Sequence, residues 1–422
     1  MSSPGQVPIV AYHSIANEHD HTVGYLSLPL PIFERQLRYL QRKGFHAVTL
    51  YDVQRFLAAG TPLPPRPIVL TFDDGYLDNW VHAFPLLKKY GMKATIFVAT
   101  DFVDPSAECR PTLDDVWEGR IQERDLAWWG HLSWPELEAM QSSGIIDIQA
   151  HTQTHAWYFS GDRIVDFHHP ADSYFWLDWN ERPRSKYSWL TRDFRASVPW
   201  GAPVYEFAST LLRPRYFDDP ELTRRAVAHV AHAGGTAFFA RPRWREELKT
   251  VASDYRARAG LKGHYETDSD YVSRVKDEMA GSRRILAGRL NKPVDFLCWP
   301  CGDYTPRLQR IAVEECGYLA TVNVNKTSNR QGADPTELNR IVFGQDYSGL
   351  WRESLLFMNF CGNVNYHSGR WHAYPLAPVS RRVMRAGRLL GGLRPDRRQP
   401  EREMKKPAES RDTSSIESRN AL

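Results

Sequence analysis

Apolar positions fall along this chain in two alternating rhythms. Short, nearly continuous apolar runs are followed by stretches in which apolar residues return every three or four places. These are the patterns of buried strands and of helices packed on them. Residues 8–13 read as a first strand ending Ala11-Tyr12-His13. Pro31 opens a helix with Phe33, Leu37 and Leu40 on its apolar side, closed by Gly44 at the C′ position. His46 to Leu50 reads as a short strand and Asp52 to Ala59 as a helix stopped by Gly60. Next comes the apolar run Pro67-Ile68-Val69-Leu70-Thr71-Phe72, which climbs to Asp73-Asp74-Gly75. Tyr76 to Tyr90 is expected as a helix ending at Gly91, and Ala94 to Ala99 as a strand. A capping box, Ser133-Trp134-Pro135-Glu136, starts a helix running to Gly144, and the strand Ile145 to Ala150 then delivers His151.

This alternation predicts a parallel sheet or barrel built from βα units. It breaks after His155. Residues 156–270 are rich in aromatics (Trp157, Trp176, Trp179, Trp189 and Trp200 among them), with two helices, one opened by Asp219-Pro220 and one from about Arg243 to Ala259. The stretch reads as an insertion packed over the mouth of the main domain. The βα rhythm resumes with a long helix after Asp268, a strand from Val294 to Trp299, and a helix from Thr305-Pro306 to Cys316-Gly317. Leu319 to Val322 and Arg340 to Phe343 are the last strands expected.

In folds of this kind the chemistry sits at the C-terminal ends of the strands, and His13, Asp73-Asp74 and His151 all fall there. Two neighbouring Asp repel, and along a strand their side chains point to opposite faces. They can serve one site only where the strand is ending and a cation or proton relieves the repulsion. An acidic helix cap followed by a turn accounts for one Asp but not for the pair. His151-Thr152-Gln153-Thr154-His155 places two imidazoles four residues apart, which can converge on one cation, although in a chain with 15 histidines such a pair taken alone is better read as chance or surface placement. Joined to the Asp pair, it makes an Asp/His/His set that leaves a position open for water.

Charge and cysteine content narrow the function classes. The net charge of +4 is uneven: residues 381–422 hold 12 Lys/Arg against 6 Asp/Glu, leaving about −2 on the rest, so the body is not a nucleic-acid binder on charge grounds. The basic stretch around Arg381, Arg382, Arg385 and Arg388 reads as a solvated tail, with weak contact to a membrane surface as the alternative. Five scattered cysteines argue against a disulfide framework. With no basic, apolar leader at Met1-Ser2-Ser3-Pro4 and no long apolar run, a cytoplasmic and at most membrane-peripheral protein is expected.

Thr71-Phe72-Asp73-Asp74-Gly75 and His151-Thr152-Gln153-Thr154-His155 resemble, in order and separation, the first two motifs of the polysaccharide deacetylases, the NodB-homology or carbohydrate esterase 4 group. The resemblance covers roughly residues 7–155 and 270–345. It implies an α/β fold, a distorted (β/α) barrel of the NodB type with a large insertion. Residues 1–155 and 271–380 would form the barrel, 156–270 the insertion and 381–422 a disordered tail. By the same resemblance Asp73 is the general base, and Asp74, His151 and His155 bind a divalent metal, Zn²⁺ for preference. Tyr12-His13-Ser14-Ile15 resembles the start of the exopolysaccharide and poly-N-acetylglucosamine deacetylases, in which this early His takes the general-acid place. The alternative for His13 is a strand-end residue bonded to a backbone carbonyl.

Cys298-Trp299-Pro300-Cys301 has the spacing of a redox pair, but Gly302-Asp303-Tyr304 separates it from the following helix, whose N-terminus would have to activate a thiol. The stretch instead resembles the family's third motif, with Cys301 at the position whose backbone N–H holds the oxyanion and with Trp299 and Tyr304 as candidate substrate contacts. The family's base-orienting Arg is missing, with Cys298 in its place. Arg340, in Leu338-Asn339-Arg340-Ile341, matches a late subgroup motif and would brace the aspartates or touch substrate, unless it is a surface residue. The function implied is hydrolysis of an acetamide on an N-acetylated glycan or glycan precursor, a linear C–N amide. The alternatives are an O-acetyl ester or non-sugar amide hydrolase of the same fold, and a catalytically silent glycan-binding module. The insertion's aromatics would either face sugar rings or form a core of their own.

Overall fold

The computed structural model describes residues 5–16, 26–193, 197–325, 327–342 and 352–370. Eight parallel strands form the central sheet: β1 (Ile9–Tyr12), β2 (Pro67–Phe72), β3 (Ala94–Val98), β4 (Ile146–Ala150), β5 (Phe296–Cys298), β6 (Ala320–Asn323), β7 (Glu337–Asn339) and β8 (Ile341–Val342). Hydrogen-bonded neighbours run β8-β1-β2-β3-β4-β5-β6-β7, and the short strand His46–Ala47 adds to the start of β2. The two ends of this order, β7 and β8, are consecutive in the chain with only Arg340 between them. One extended segment therefore pairs first with β6, Asn339 opposite Asn323, and then with β1, Ile341 opposite Val10. That crossing nearly closes the sheet into a barrel, the expected (β/α) architecture.

Strand alternation separates two cores. Ile9, Val69, Phe97, Phe296, Val322 and Leu338 share an inner cluster with Leu50, Val53, Phe56 and Leu57 of the helix Leu50–Ala59. Val10, Tyr12, Leu70, Phe72, Ile96 and Ile148 face the outer helices, where Phe33, Leu37 and Leu40 of Leu30–Arg42 pack on them. Tyr12, Phe33 and Phe72 form a tight aromatic trio with centroids 5.3 to 5.8 Å apart.

The local signals placed most elements, and the differences have physical causes. Thr49 and Asp52 form a capping box that starts the second helix at Leu50, so the strand before it keeps only His46–Ala47. Tyr76 to Tyr90 is not one helix: a π-helical turn, Asn79–Ala83, precedes the α-helix Phe84–Tyr90. β7 and the helix Arg352–His367 carried no clear sequence pattern, and Phe343 lies outside the described residues. So do residues 17–25 and residues 381–422, the latter expected as a basic tail. Among the described residues no helix is long and apolar enough to cross a membrane.

Within 156–270 an antiparallel pair unforeseen in the sequence, Trp157–Phe167 with Pro203–Ser209, carries the helical segment Trp176–Glu181. Trp157, Trp176, Trp179 and Trp189 are buried in one cluster with Tyr76, Ala99 and Phe102 from the mouth of the barrel. The helices Pro220–His232 and Trp244–Ala259 close a separate cluster around Phe167, Leu222 and Leu248.

Asn329 staples the closing strand. Its Nδ2 donates to the Val7 and Asn339 carbonyls at 3.1 and 2.8 Å, and its Oδ1 accepts from the Asn339 N–H at 2.8 Å. Asn329→Ala strands these buried groups and is expected to destabilise the fold by about 3 kcal/mol, read from the urea midpoint.

Candidate metal centre and active site

β2 ends in a way that resolves the conflict between adjacent carboxylates. Asp73 continues the strand, its N–H donating to the Tyr12 carbonyl at 3.0 Å, and its side chain points the same way as Val69 and Thr71, into the barrel. Asp74 then takes a left-handed backbone, φ 71°, and Gly75 follows at φ 75°. This break in the extended conformation turns the second carboxylate back toward the mouth. Asp is among the few residues that tolerate such a backbone.

The two carboxylates receive different partners. Arg340 grips Asp73 with both arms, Nη1 to Oδ1 at 2.6 Å and Nη2 to Oδ2 at 2.8 Å. The same guanidinium donates to Thr71 Oγ1 at 3.1 Å and to Cys298 Sγ at 2.9 Å, and Arg340 is only 1% exposed. Burial pushes the Asp73 carboxyl up, but the Arg340 charge and hydrogen bonds, with smaller help from His151 and His13, hold it below the ordinary range. Arg340 thus braces Asp73, the candidate base, and is no surface residue. Arg340 reaches this carboxylate from the closing strand, and Cys298, expected to stand in place of an orienting Arg, accepts from the same guanidinium.

Asp74 faces the histidines. His151 Nε2 lies 3.2 Å and His155 Nε2 3.5 Å from Asp74 Oδ1, and one ligand atom from each of the three residues lies within 4.8 Å of the others. His151 Nδ1 donates to the Cys298 carbonyl at 2.9 Å, which turns Nε2 toward the carboxylate. Burial pushes both imidazoles down. Cys298, Asp74 and Asp73 more than offset this at His151 and raise it, whereas His155, beside His151, is held at about 4. Asp74 Oδ1 is buried without a hydrogen bond. Paired anionic and imidazole donors with an unsatisfied buried oxygen fit a divalent cation, and Asp74, His151 and His155 are the residues that would hold it. A second trio, Asp73, His151 and Cys298, is also close enough to bind metal, but Arg340 already neutralises it.

The loop carrying the histidines is strained and firmly held. Thr152 and His155 have φ of 65° and 47°. Glu278, from the helix Asp268–Leu290, accepts from the Thr154 N–H at 2.9 Å and from its hydroxyl at 2.6 Å. Lys186 of the insertion, 1% exposed, donates to the Thr154 carbonyl at 2.5 Å from between the Phe102 and Trp179 rings. Burial pushes the Lys186 ammonium down to about 8 against the opposing pull of Asp101 and Glu278. Nothing in the sequence around Lys186 or Glu278 signals these roles, because their partner is remote backbone.

His13 completes the site, its Nε2 3.8 Å from Asp73 Oδ2. Cys301 sits in a tight turn at φ 57°, half-buried against the insertion's aromatic cluster, and the Cys298/Cys301 pair is unbridged. Trp299, expected as a substrate contact, is fully buried and stacked on Tyr304 with centroids 5.6 Å apart, so it has no face to offer a sugar. Tyr304 is half-buried, its hydroxyl accepting from Asn325 at 2.7 Å. The insertion's main tryptophans are likewise core, not platforms.

Arg340→Met leaves Asp73 as an uncompensated buried charge and is expected to cost about 3–5 kcal/mol in urea unfolding at neutral pH. Asp73 has a lower pKa folded than unfolded. The pair therefore stabilises fully above about pH 4, and the contribution is lost as pH falls through the folded value. The difference between wild type and variant should shrink correspondingly in acid.

Residues 60–193 match the family model described as polysaccharide deacetylase. The protein YxkH of Bacillus subtilis (strain 168), named for that family, is 38% identical over 95 residues, which are 22% of this chain and 32% of YxkH. Poly-beta-1,6-N-acetyl-D-glucosamine N-deacetylase of Escherichia coli K12 is 22% identical over 143 residues, 34% of this chain and 20% of that protein. This chain therefore spans less than a third of the length of either relative. Among solved structures, a de-N-acetylase from Aggregatibacter actinomycetemcomitans aligns with a TM-score of 0.47 at 14% identity, over 83% of this chain and 99% of the other. IcaB from Ammonifex degensii aligns at 0.45 and 18%, over 81% and 92%. Asp73, Asp74, His151 and His155 all lie inside residues 60–193, the segment of this chain that is similar to the polysaccharide deacetylase family model.

Proposed function

We propose that the protein is a metal-dependent hydrolase that removes N-acetyl groups from an N-acetylated glycan or glycan precursor. The observation that carries this reading is the division of labour between the two aspartates. Asp74 gathers His151 and His155 around a position suited to a cation, while Asp73, gripped by Arg340, stands beside it with His13 across the site. A binding module needs no base next to a metal ligand. The poly-N-acetylglucosamine deacetylase relative makes an N-acetylated β-1,6 glucosamine polymer the first substrate to try.

A divalent ion held by Asp74, His151 and His155, Zn²⁺ being the first candidate, supplies Lewis acidity toward the acyl oxygen and the attacking water. The chain's own residues do the rest. Asp73 takes a proton from water as its oxygen adds to the acetamide carbon. The Cys301 N–H donates to the oxyanion that forms. When the C–N bond breaks, protonated His13 gives its proton to the departing amine, and acetate and the free amine leave. His13 Nε2 is 3.8 Å from Asp73 Oδ2, a small step for returning the proton that Asp73 accepted. Arg340 orients the base and keeps it ionised.

Acetate release from β-1,4 and β-1,6 linked N-acetylglucosamine oligomers tests the reading. Metal-loaded protein should release acetate, chelation should abolish it, and Asp73→Asn should lower kcat at least about 10²-fold. Asp74→Asn and His155→Ala should lose bound metal by elemental analysis, an outcome independent of turnover. A protein that binds metal but releases no acetate from these oligomers would point to O-acetyl esters or non-sugar amides instead. Absence of both metal and turnover would favour a silent glycan-binding module.

A further inference from the structure

The segment after β1 that carries His13 is held from two sides: Ser14 and Ile15 pair with Ser27 and Leu28, and the turn after the Asp73-Asp74 motif bonds the same stretch and the His13 carbonyl. Asn79 Nδ2 donates to the His13 carbonyl at 2.8 Å and to Asp78 Oδ1 at 2.8 Å. Ser14 Oγ donates to Asp78 Oδ2 at 2.5 Å, and the Ile15 N–H also bonds this carboxylate. His82 Nδ1 donates to the Ile15 carbonyl at 2.7 Å. Three consecutive residues, 13 to 15, are thus tied to three side chains that lie in or beside the π-helical turn Asn79–Ala83. The wider turn brings positions 78, 79 and 82 onto one side, a device common at functional sites.

Asp78 is the costly member. It is fully buried, and the groups that offset its burial are all neutral donors, namely Ser14, Ile15 and Asn79. Burial pushes its carboxyl up to about 7. A buried carboxylate without a paired cation is expensive, and an apolar side chain would serve packing better. The Asp78 carboxylate bonds Ser14 and Ile15 of the His13 segment directly and reaches the His13 carbonyl through Asn79. What the carboxylate achieves is to fix that path.

We propose that Asp78 and Asn79 are positioning residues that aim the His13 imidazole at the departing amine beside Asp73. The proposal rests on His13 acting as the acid, and its test separates the two ideas. An amide nitrogen must be protonated before the C–N bond breaks, whereas an aryl acetate loses a stable phenolate without help. The quantity to measure is the ratio of acetamide to aryl-acetate turnover by the metal-loaded protein, with bound metal and thermal midpoint recorded for each variant. His13→Ala should lower the ratio about 10²-fold or more. Ser14→Ala, Asp78→Asn and Asn79→Ala should lower it in the same direction by at least about tenfold, with metal content retained. General damage to the fold would depress both substrates together and leave the ratio unchanged. If His13→Ala lowers the ratio and the other three do not, the positioning role is wrong. If His13→Ala itself leaves the ratio unchanged, the acid assignment fails and takes this proposal with it. Should Asp78→Asn fail to fold, Ser14→Ala, which removes a single donor, decides the matter.

Discussion

The bidentate grip of Arg340 on Asp73 is the interaction on which most of the site depends. Arg340 is the single residue between β7 and β8, so the strand that closes the barrel and the group that orients the candidate base are one element. Burying either charge alone costs several kcal/mol, and only paired geometry with further hydrogen bonds recovers it. Thr71 and Cys298 supply those further bonds. Two adjacent carboxylates can then stay ionised because each has its own positive partner. Asp73 has a permanent one in Arg340, and Asp74 has the histidines and whatever cation joins them.

The second constraint is backbone strain where the strands end. Asp74, Thr152, His155 and Cys301 are four of the six non-glycine residues with positive φ among the described positions, and all four belong to the mouth of the barrel. Each such conformation costs of order 1–3 kcal/mol and persists only where its surroundings enforce it. Here the enforcement is visible. Glu278 and Lys186 hold Thr154 from two sides, and the Cys298 carbonyl fixes the His151 ring. The insertion therefore reaches the candidate metal site through one buried ammonium, while its tryptophans pack as a core over the barrel mouth.

Much of this was legible along the chain. The alternation of apolar runs with three-to-four-residue periodicity, glycine stops and a capping box is local information, and it placed β2, β3, β4 and most of the helices. The motif residues were legible too, because Asp73, Asp74, His151 and His155 sit where apolar runs stop. What misled was aromatic content. Trp299 looked available for sugar and the insertion's tryptophans were open to either use, but large apolar rings near a barrel mouth are worth more buried against each other than exposed.

By itself, then, the sequence determined a parallel βα architecture, an interrupted one, and the residues gathered in its candidate site. The tertiary structure decided how those residues are used. Arg340 meets Asp73 across 267 positions of chain, and Lys186 and Asp78 reach the backbone of remote segments. Period and composition report what a residue does with its neighbours in sequence. They carry no signal for a charge whose partner is delivered by the closing of a barrel, because that partner is chosen by three-dimensional proximity and by the cost of leaving the charge alone.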